Sequence, residues 1–185
     1  MEDRKIVDLF FARNERAIHE TQEKYGKYCH YVAKNILSSD EDSEECVNDA
    51  YLRTWNAIPP SKPESLKAFI GKITRNLALD MYDRNKAQKR ADSVELAFEE
   101  LEECLSDHSS HGKMVDELAM KNALNKFLGG LDPAKRLIFM QRYWYLLSVK
   151  DIAEKNRMSE NNVKSILLRL RSKFKKHLEK EGVLL

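Results

Sequence analysis

The sequence predicts an all-α fold: two small helical domains joined by a flexible acidic linker, the second containing a helix-turn-helix. Three observations carry this. Apolar residues recur at three- and four-residue spacing along most of the chain, and no segment alternates as a half-buried strand does. Six glycines and four prolines in 185 residues are too few for a turn-rich β architecture. Charge is partitioned along the chain: net −4 over residues 1–61, +5 over 62–90, −8 over 91–120 and +9 over 121–185, within an overall +2. Two basic blocks parted by an acidic one predict two polyanion-facing surfaces on a jointed chain; the plainer alternative is that acidic and basic segments pair with each other.

The expected boundaries are 1–91 for the first domain, 92–114 for the linker and 115–185 for the second domain. Residues 4–18 form a modest helix on Ile6, Leu9, Phe10 and Ala17. A stronger one over 20–37 aligns Tyr25, Tyr28, Val32 and Ile36. The run Ser38-Ser39-Asp40-Glu41-Asp42 interrupts the pattern and supplies a cap and early acidic residues for the next helix. That helix reaches about Ala57, burying Val47, Ala50, Tyr51 and Thr54 or Trp55 and exposing Glu44, Glu45, Asn48, Asp49 and Arg53. An acidic helix face is an ordinary solvated surface or a site for a protein with a basic groove.

Pro59, Pro60 and Pro63 force a loop between Ile58 and Ser65. A helix from about Glu64 to Lys86 follows, with Leu66, Phe69, Ile70, Ile73, Leu77 and Met81 inward. Its outer face and end carry Lys67, Lys72, Arg75, Asn76, Arg84, Lys86, Lys89 and Arg90. Cations near a helix C-terminus suit the dipole, and with Asn76 and Tyr82 they also suit a groove that holds a nucleic-acid strand. Residues 91–115 are acidic, then rich in Ser, His and Gly, and read as a linker with at most a short helix in its first half. Two dozen residues span roughly 80 Å when extended, enough to set the flanking domains on separate stretches of DNA. Beyond it, Val115, Leu118, Ala119, Asn122, Leu124 and Leu128 suggest a helix ending at Gly129-Gly130. Asp132-Pro133 begins another with Leu137, Ile138, Met140, Tyr143 and Trp144 inside.

The segment Ser148–Lys176 reads as two helices around the turn Asn156-Arg157-Met158. Ser148 and Ser159 are the N-caps, with Asp151 placed to reach back toward the first. The second helix buries Val163, Ile166, Leu167, Leu170 and Phe174. Its other side carries Asn161, Asn162, Lys164, Ser165, Arg169, Arg171, Lys173 and Lys175. Amides and arginine pair with base edges and cations neutralise phosphates, so this is the equipment of a major-groove reader.

Composition excludes several classes. No run approaches the ~18 apolar residues of a membrane helix, so no membrane insertion is expected. Three cysteines, Cys29, Cys46 and Cys104, without CxxC spacing, fit free thiols in a reducing cytoplasm. There is no glycine-rich phosphate loop after a strand, no HExxH and no GxSxG, so neither catalysis nor a cofactor is expected. Cys104, His108 and His111 have helix-like spacing but make only three ligands, and no metal site is expected there.

Three motifs in order resemble the bacterial RNA polymerase sigma factors, specifically the small two-domain extracytoplasmic-function class. They are DSEECVNDAYLRTW (42–55), LKAFIGKITRNLALDMYDRNKAQKR (66–90) and the stretch LDPAKRLIFMQRYWYLLSVKDIAEKNRMSENNVKSILLRLRSKF that begins at Leu131. The resemblance covers about residues 10–180. It implies a chain that binds core RNA polymerase and promoter DNA, the chemistry belonging to the polymerase, under an anti-sigma factor. Glu45, Asp49, Tyr51, Leu52 and Trp55 match the face that grips the polymerase clamp. Lys72, Arg75 and Asn76 match the helix that reads the melted non-template strand of the minus-ten element. The loop bearing Pro60, Ser61 and Lys62 matches the one that accepts a flipped-out base. Ser159, Asn161, Asn162, Lys164, Ser165, Arg169 and Arg171 match positions facing the minus-thirty-five duplex. The chain departs from the family where Phe69 stands for the usual Trp, Arg157 for the turn glycine, Asn161-Asn162 for Gly-Thr and Ile166 for Arg. The competing reading is a stand-alone helix-turn-helix regulator, which would have no use for the helices around Asp49 and Arg75.

Overall fold

The computed structural model describes residues 1–85, 92–105 and 117–183. It divides into two compact units, Met1–Lys89 and Arg90–Leu185. Among the described residues every regular element is a helix.

The first unit holds α1 (Asp3–Phe11), α2 (Arg16–Leu37), α3 (Asp40–Ala57) and α4 (Leu66–Asn85). The single helix expected over 4–18 is two. Arg13 turns to φ 52°, and the Asn14 side chain accepts the Arg16 N–H at 3.0 Å, so the chain reverses between α1 and α2. α2, α3 and α4 pack on one another, with α1 against α2. Cys29, Val32 and Ala33 meet Cys46, Ala50, Ile70 and Ala78 in a core from which water is excluded. Thr21, Thr54 and Thr74 are also buried, each hydroxyl donating to the carbonyl four residues earlier at 2.7–2.9 Å. Gly71 allows α4 to approach α2: a Cβ there would lie 2.4 Å from the Tyr28 hydroxyl and 2.9 Å from its ring. Ser38, at φ 63°, ends α2, and the Ser39 hydroxyl accepts the Asp42 N–H at 3.2 Å to open α3.

One anchor in this unit was not legible in the sequence. Asp3 caps α4 across 63 positions, accepting the Leu66 N–H at 3.1 Å. The same carboxylate pairs with Lys24 at 2.7 Å and accepts the Tyr25 hydroxyl. Burial alone would raise the Asp3 pKa; the hydrogen bonds from Lys24, Tyr25 and Leu66 outweigh it and hold the group below its ordinary value.

The second unit holds α5 (Asp92–Leu105), α6 (Glu117–Gly129), α7 (Pro133–Tyr143), α8 (Val149–Asn156) and α9 (Glu160–Lys180). Here the expected linker is corrected. Its first half is a fourteen-residue helix that packs on α7 and α9. Ala97 is 1% exposed, and Glu100 pairs with Arg142 and Arg171. Acidic and basic segments do pair here, the plainer alternative for the charge blocks, through Glu100. The core is aromatic: Phe127 lies 4.9 Å from Phe174 and 5.5 Å from Phe139, ring centre to ring centre, and Phe139 lies 4.7 Å from Tyr143. The inner faces of α6 and α7 are turned from those expected. Leu118, Asn122 and Leu137 are exposed, and Ala123, Phe127 and Phe139 are buried in their place, beside Ile138 and Tyr143, which lie inside as expected. Packing of large rings sets the rotation, and a periodicity that ranks Leu with Phe misses it.

Candidate nucleic-acid interfaces

On α3, Glu45, Asp49 and Leu52 follow one another at four- and three-residue spacing and are all exposed. Leu52 is 58% exposed, an unusual place for leucine in the middle of a helix. Tyr51 and Trp55 do not share this outer face. Tyr51 is buried between α2 and α3, its hydroxyl 3.2 Å from where a Cβ on Gly26 would sit, and burial pushes its phenol up to about 12. Trp55 is half-buried; its ring is tilted against Phe10 at 6.1 Å and covered by Arg13 at 5.3 Å. Arg13 also donates to the Trp55 carbonyl at 2.7 Å. Beside the acidic face runs a cleft of about 520 Å³ lined in part by Lys27, His30, Glu44, Val47 and Asn48. Burial pushes the Cys29 and Cys46 thiols up to about 11 and 12, so both stay protonated in the core.

On α4, Lys72 and Asn76 are exposed and Arg75 is half-buried, all within one helical turn. Burial draws the Arg75 pKa below its ordinary value. Lys67 lies over the Tyr28 ring at 5.0 Å. In the loop before α4, Pro60 and Lys62 are exposed and Ser61 is half-buried. α1 completes this loop's surroundings, because Arg4, Val7 and Asp8 line a groove of about 490 Å³ with Lys62, Pro63 and Glu64. Sequence reasoning missed this pairing, since nothing local ties residues 4–8 to 62–64.

In the second unit, α8 and α9 follow one another across the short turn at 157–159. Ser148 accepts the Asp151 N–H at 3.1 Å and donates to the Asp151 carboxylate at 2.6 Å. Ser159 accepts the Asn162 N–H at 3.2 Å. Arg157 takes the left-handed conformation, φ 53° and ψ 47°, as a residue in the place of a turn glycine must. The Asn156 side chain donates to Gln141 and to the Ile152 carbonyl, both at 2.7 Å, tying the turn to α7. Val163, Leu167, Leu170, Phe174 and Leu178 are buried. Ser159, Asn161, Asn162, Lys164, Ser165 and Arg169 are all exposed. With them stands Leu168, 58% exposed, which the sequence reading left out.

Arg171 departs from that surface and is a correction. It turns toward the helix bundle, donating to Glu100 at 3.0 Å and to the Tyr143 hydroxyl at 3.0 Å. One turn of α9 offers cations to two sides, and the acidic helix α5 takes this one. Arg142, 2% exposed, meets the same carboxylate with two nitrogens, Nη2 to Oε1 at 2.8 Å and Nε to Oε2 at 3.2 Å, and donates to the Leu147 carbonyl at 3.0 Å. The Tyr143 hydroxyl donates to Glu100 at 3.0 Å. Burial would raise the Glu100 pKa; its hydrogen bonds from Arg142 and Tyr143 and the charge of Arg171 hold it below the ordinary value.

Residues 22–88 match the family model Sigma-70 region 2. The match runs from within α2 through α3, the loop and α4, so the acidic face of α3 and the cationic face of α4 both lie inside the matched stretch. No curated protein matches the chain. Among solved structures the chain is similar to that of CnrH in complex with the cytosolic domain of CnrY, at 20% identity and a TM-score of 0.45, covering 96% of this chain and 97% of that one. His108 and His111, two of the three residues weighed as a metal site, lie outside the described residues. Lys86, Lys89 and Arg90, the basic end expected for the fourth helix, do as well. No helix among the described residues is long and apolar enough to cross a membrane.

Proposed function

We propose that this chain is a sigma factor of the extracytoplasmic-function class: it binds core RNA polymerase and directs initiation at promoters it selects with both units. The observation that carries the reading is the coincidence of the region 2 match with the two contrasting faces inside it, acidic on α3 and cationic on α4. Glu45, Asp49 and Leu52 present carboxylates around an apolar side chain, a combination suited to a basic, partly apolar helix of the polymerase clamp. Tyr51 supports that surface from beneath, and Trp55 flanks it.

Lys72, Arg75 and Asn76 then hold the melted non-template strand of the minus-ten element, cations tracking phosphates and the amide reading a base. The loop with Pro60, Ser61 and Lys62 takes a base that has left the stack. Asn161, Asn162, Lys164, Ser165 and Arg169 face the minus-thirty-five duplex in the major groove, with Ser159 fixing the start of the helix. An anti-sigma factor covers these faces until a signal releases the chain. The chemistry of RNA synthesis stays with the polymerase.

The test is co-elution with bacterial core RNA polymerase, comparing the wild type with Asp49→Arg. A stable complex that the charge reversal weakens at least tenfold supports the proposal. No complex, together with salt-sensitive binding of duplex DNA by the chain alone, identifies a stand-alone regulator instead.

A further inference from the structure

The groove beside the proline loop takes its two walls from segments far apart in sequence. Arg4, Val7 and Asp8 of α1 form one wall, and Lys62, Pro63 and Glu64 of the loop form the other, around about 490 Å³. That is the size of a small-ligand pocket. Val7 is buried and Pro63 half-buried, whereas Arg4, Asp8, Lys62 and Glu64 are exposed. The groove therefore has an apolar floor under a charged rim. Among the described residues, none of these four charged side chains is held in an ion pair, so the rim stays open to a ligand.

The signs on the rim narrow what can enter. Two cations and two carboxylates cancel. A phosphate would meet both carboxylates, and an organic cation would meet both basic side chains. A neutral group with a flat apolar body and with donors and acceptors along one edge satisfies floor and rim together, and a nucleobase is such a group. Carboxylates accept from amino and ring N–H groups, while Arg and Lys donate to carbonyl oxygens. Thymine has no amino group and adenine has no carbonyl. Cytosine and guanine have both.

The wall from α1 is fixed in place. Asp3 accepts the Leu66 N–H at 3.1 Å where the loop ends and α4 begins, and it pairs with Lys24 of α2 at 2.7 Å. Arg4 and Asp8 follow Asp3 on the same helix, four residues apart and so on one side of it.

We propose that α1 completes the pocket for the base taken out of the stack. Arg4 and Asp8 read the edge of that base from across Lys62 and Glu64, and the pocket selects cytosine or guanine. The inference rests on the base-accepting role proposed for the loop. It extends that role to a helix outside residues 22–88, the stretch that matches region 2.

Single-strand binding by the chain assembled with bacterial core RNA polymerase tests this. The probes are short fluorescent oligothymidine strands carrying one central dC, dG, dA or dT, followed by anisotropy. A central dC or dG binds roughly tenfold more tightly than thymidine throughout, the discrimination of one well-made edge contact. Asp8→Ala brings that ratio down toward one while the all-thymidine strand binds as before, and Arg4→Gln lowers the ratio as well. Lys5→Gln, an exposed cation of α1 that does not line the groove, leaves the ratio unchanged. A preference for dA or dT, or no preference, overturns the proposal on the wild type alone, whatever the variants do. A ratio that survives both Asp8→Ala and Arg4→Gln, or that Lys5→Gln lowers equally, overturns it too. If the assembly binds none of the strands, the minus-ten role of the first unit fails and the pocket falls with it. Strands bound with a preference indifferent to Arg4 and Asp8 fail the pocket alone.

Discussion

The two units keep their polar groups in different ways. The first buries neutral ones, three threonine hydroxyls satisfied within their own helices, and leaves the cations Lys72 and Lys62 on the surface. The second buries a charged one, Arg142, and satisfies it with a carboxylate from another helix. A threonine bonded to its own helix makes no demand on the rest of the fold. An arginine held by α5 makes the fold depend on a contact that acid, salt or a competing anion can reach. The buried threonines of the first unit tie no helix to another, whereas Arg142 of the second joins α7 to α5 through Glu100.

Several changes break or sharpen this contrast. The largest effect is expected from Phe174→Ala, which removes the ring shared by Phe127 and Phe139; it costs the second unit about 3–5 kcal/mol, read as loss of amide protection in α6, α7 and α9. Next comes acid. Glu100 is depressed in the folded chain, so its contribution is present above the unfolded value near 4.5 and is lost as pH falls through the lower folded value. Chemical denaturation of the second unit between pH 6 and pH 3 shows that loss, and Glu100→Gln, itself destabilising by roughly 2 kcal/mol, flattens it. An equal acid dependence in the variant would remove Glu100 as the cause. In the first unit Gly71→Ala forces Tyr28 aside and destabilises by about 1–2 kcal/mol, the clash outweighing alanine's better helix propensity. Gly71→Ala in a Tyr28→Phe background recovers part of the loss, because the nearest contact is the hydroxyl. The smallest effect has the opposite sign: Arg157→Gly relieves the left-handed turn and raises the stability of the second unit by about 1 kcal/mol, seen as a higher melting temperature.

What the sequence reveals and what it hides divide along the same line. Local chemistry was legible. Ser148, Ser159 and Asp132 cap the helices they were expected to cap, because a cap is a contact across three residues. Arg157, which the family resemblance sets in the place of a turn glycine, takes the left-handed conformation that glycine would. The all-helical fold followed from the spacing of apolar residues together with the few glycines and prolines. Long-range polar contacts were hidden. Nothing around Glu100 separates it from Glu99 or Glu102, yet it alone of the three meets Arg142, 42 positions away. That single pairing turns a predicted linker into a helix of the second unit and takes Arg171 away from the predicted DNA face. Likewise the exposed acids of α3 were readable from periodicity and Leu52 only through the family resemblance, whereas the groove that joins Arg4 to Lys62 required the fold.

The cap that Asp3 places on α4 also has a consequence in time. A chain leaves the ribosome from its N-terminus. α1 is made first, but the backbone N–H that its carboxylate binds belongs to Leu66. Until α4 has emerged, Asp3 can hold Lys24 and Tyr25 but has no helix end to close. The contact between α1 and the start of α4 therefore closes only after α3 and the proline loop have been synthesised. Slowing translation just before the codon for Leu66 would prolong that interval.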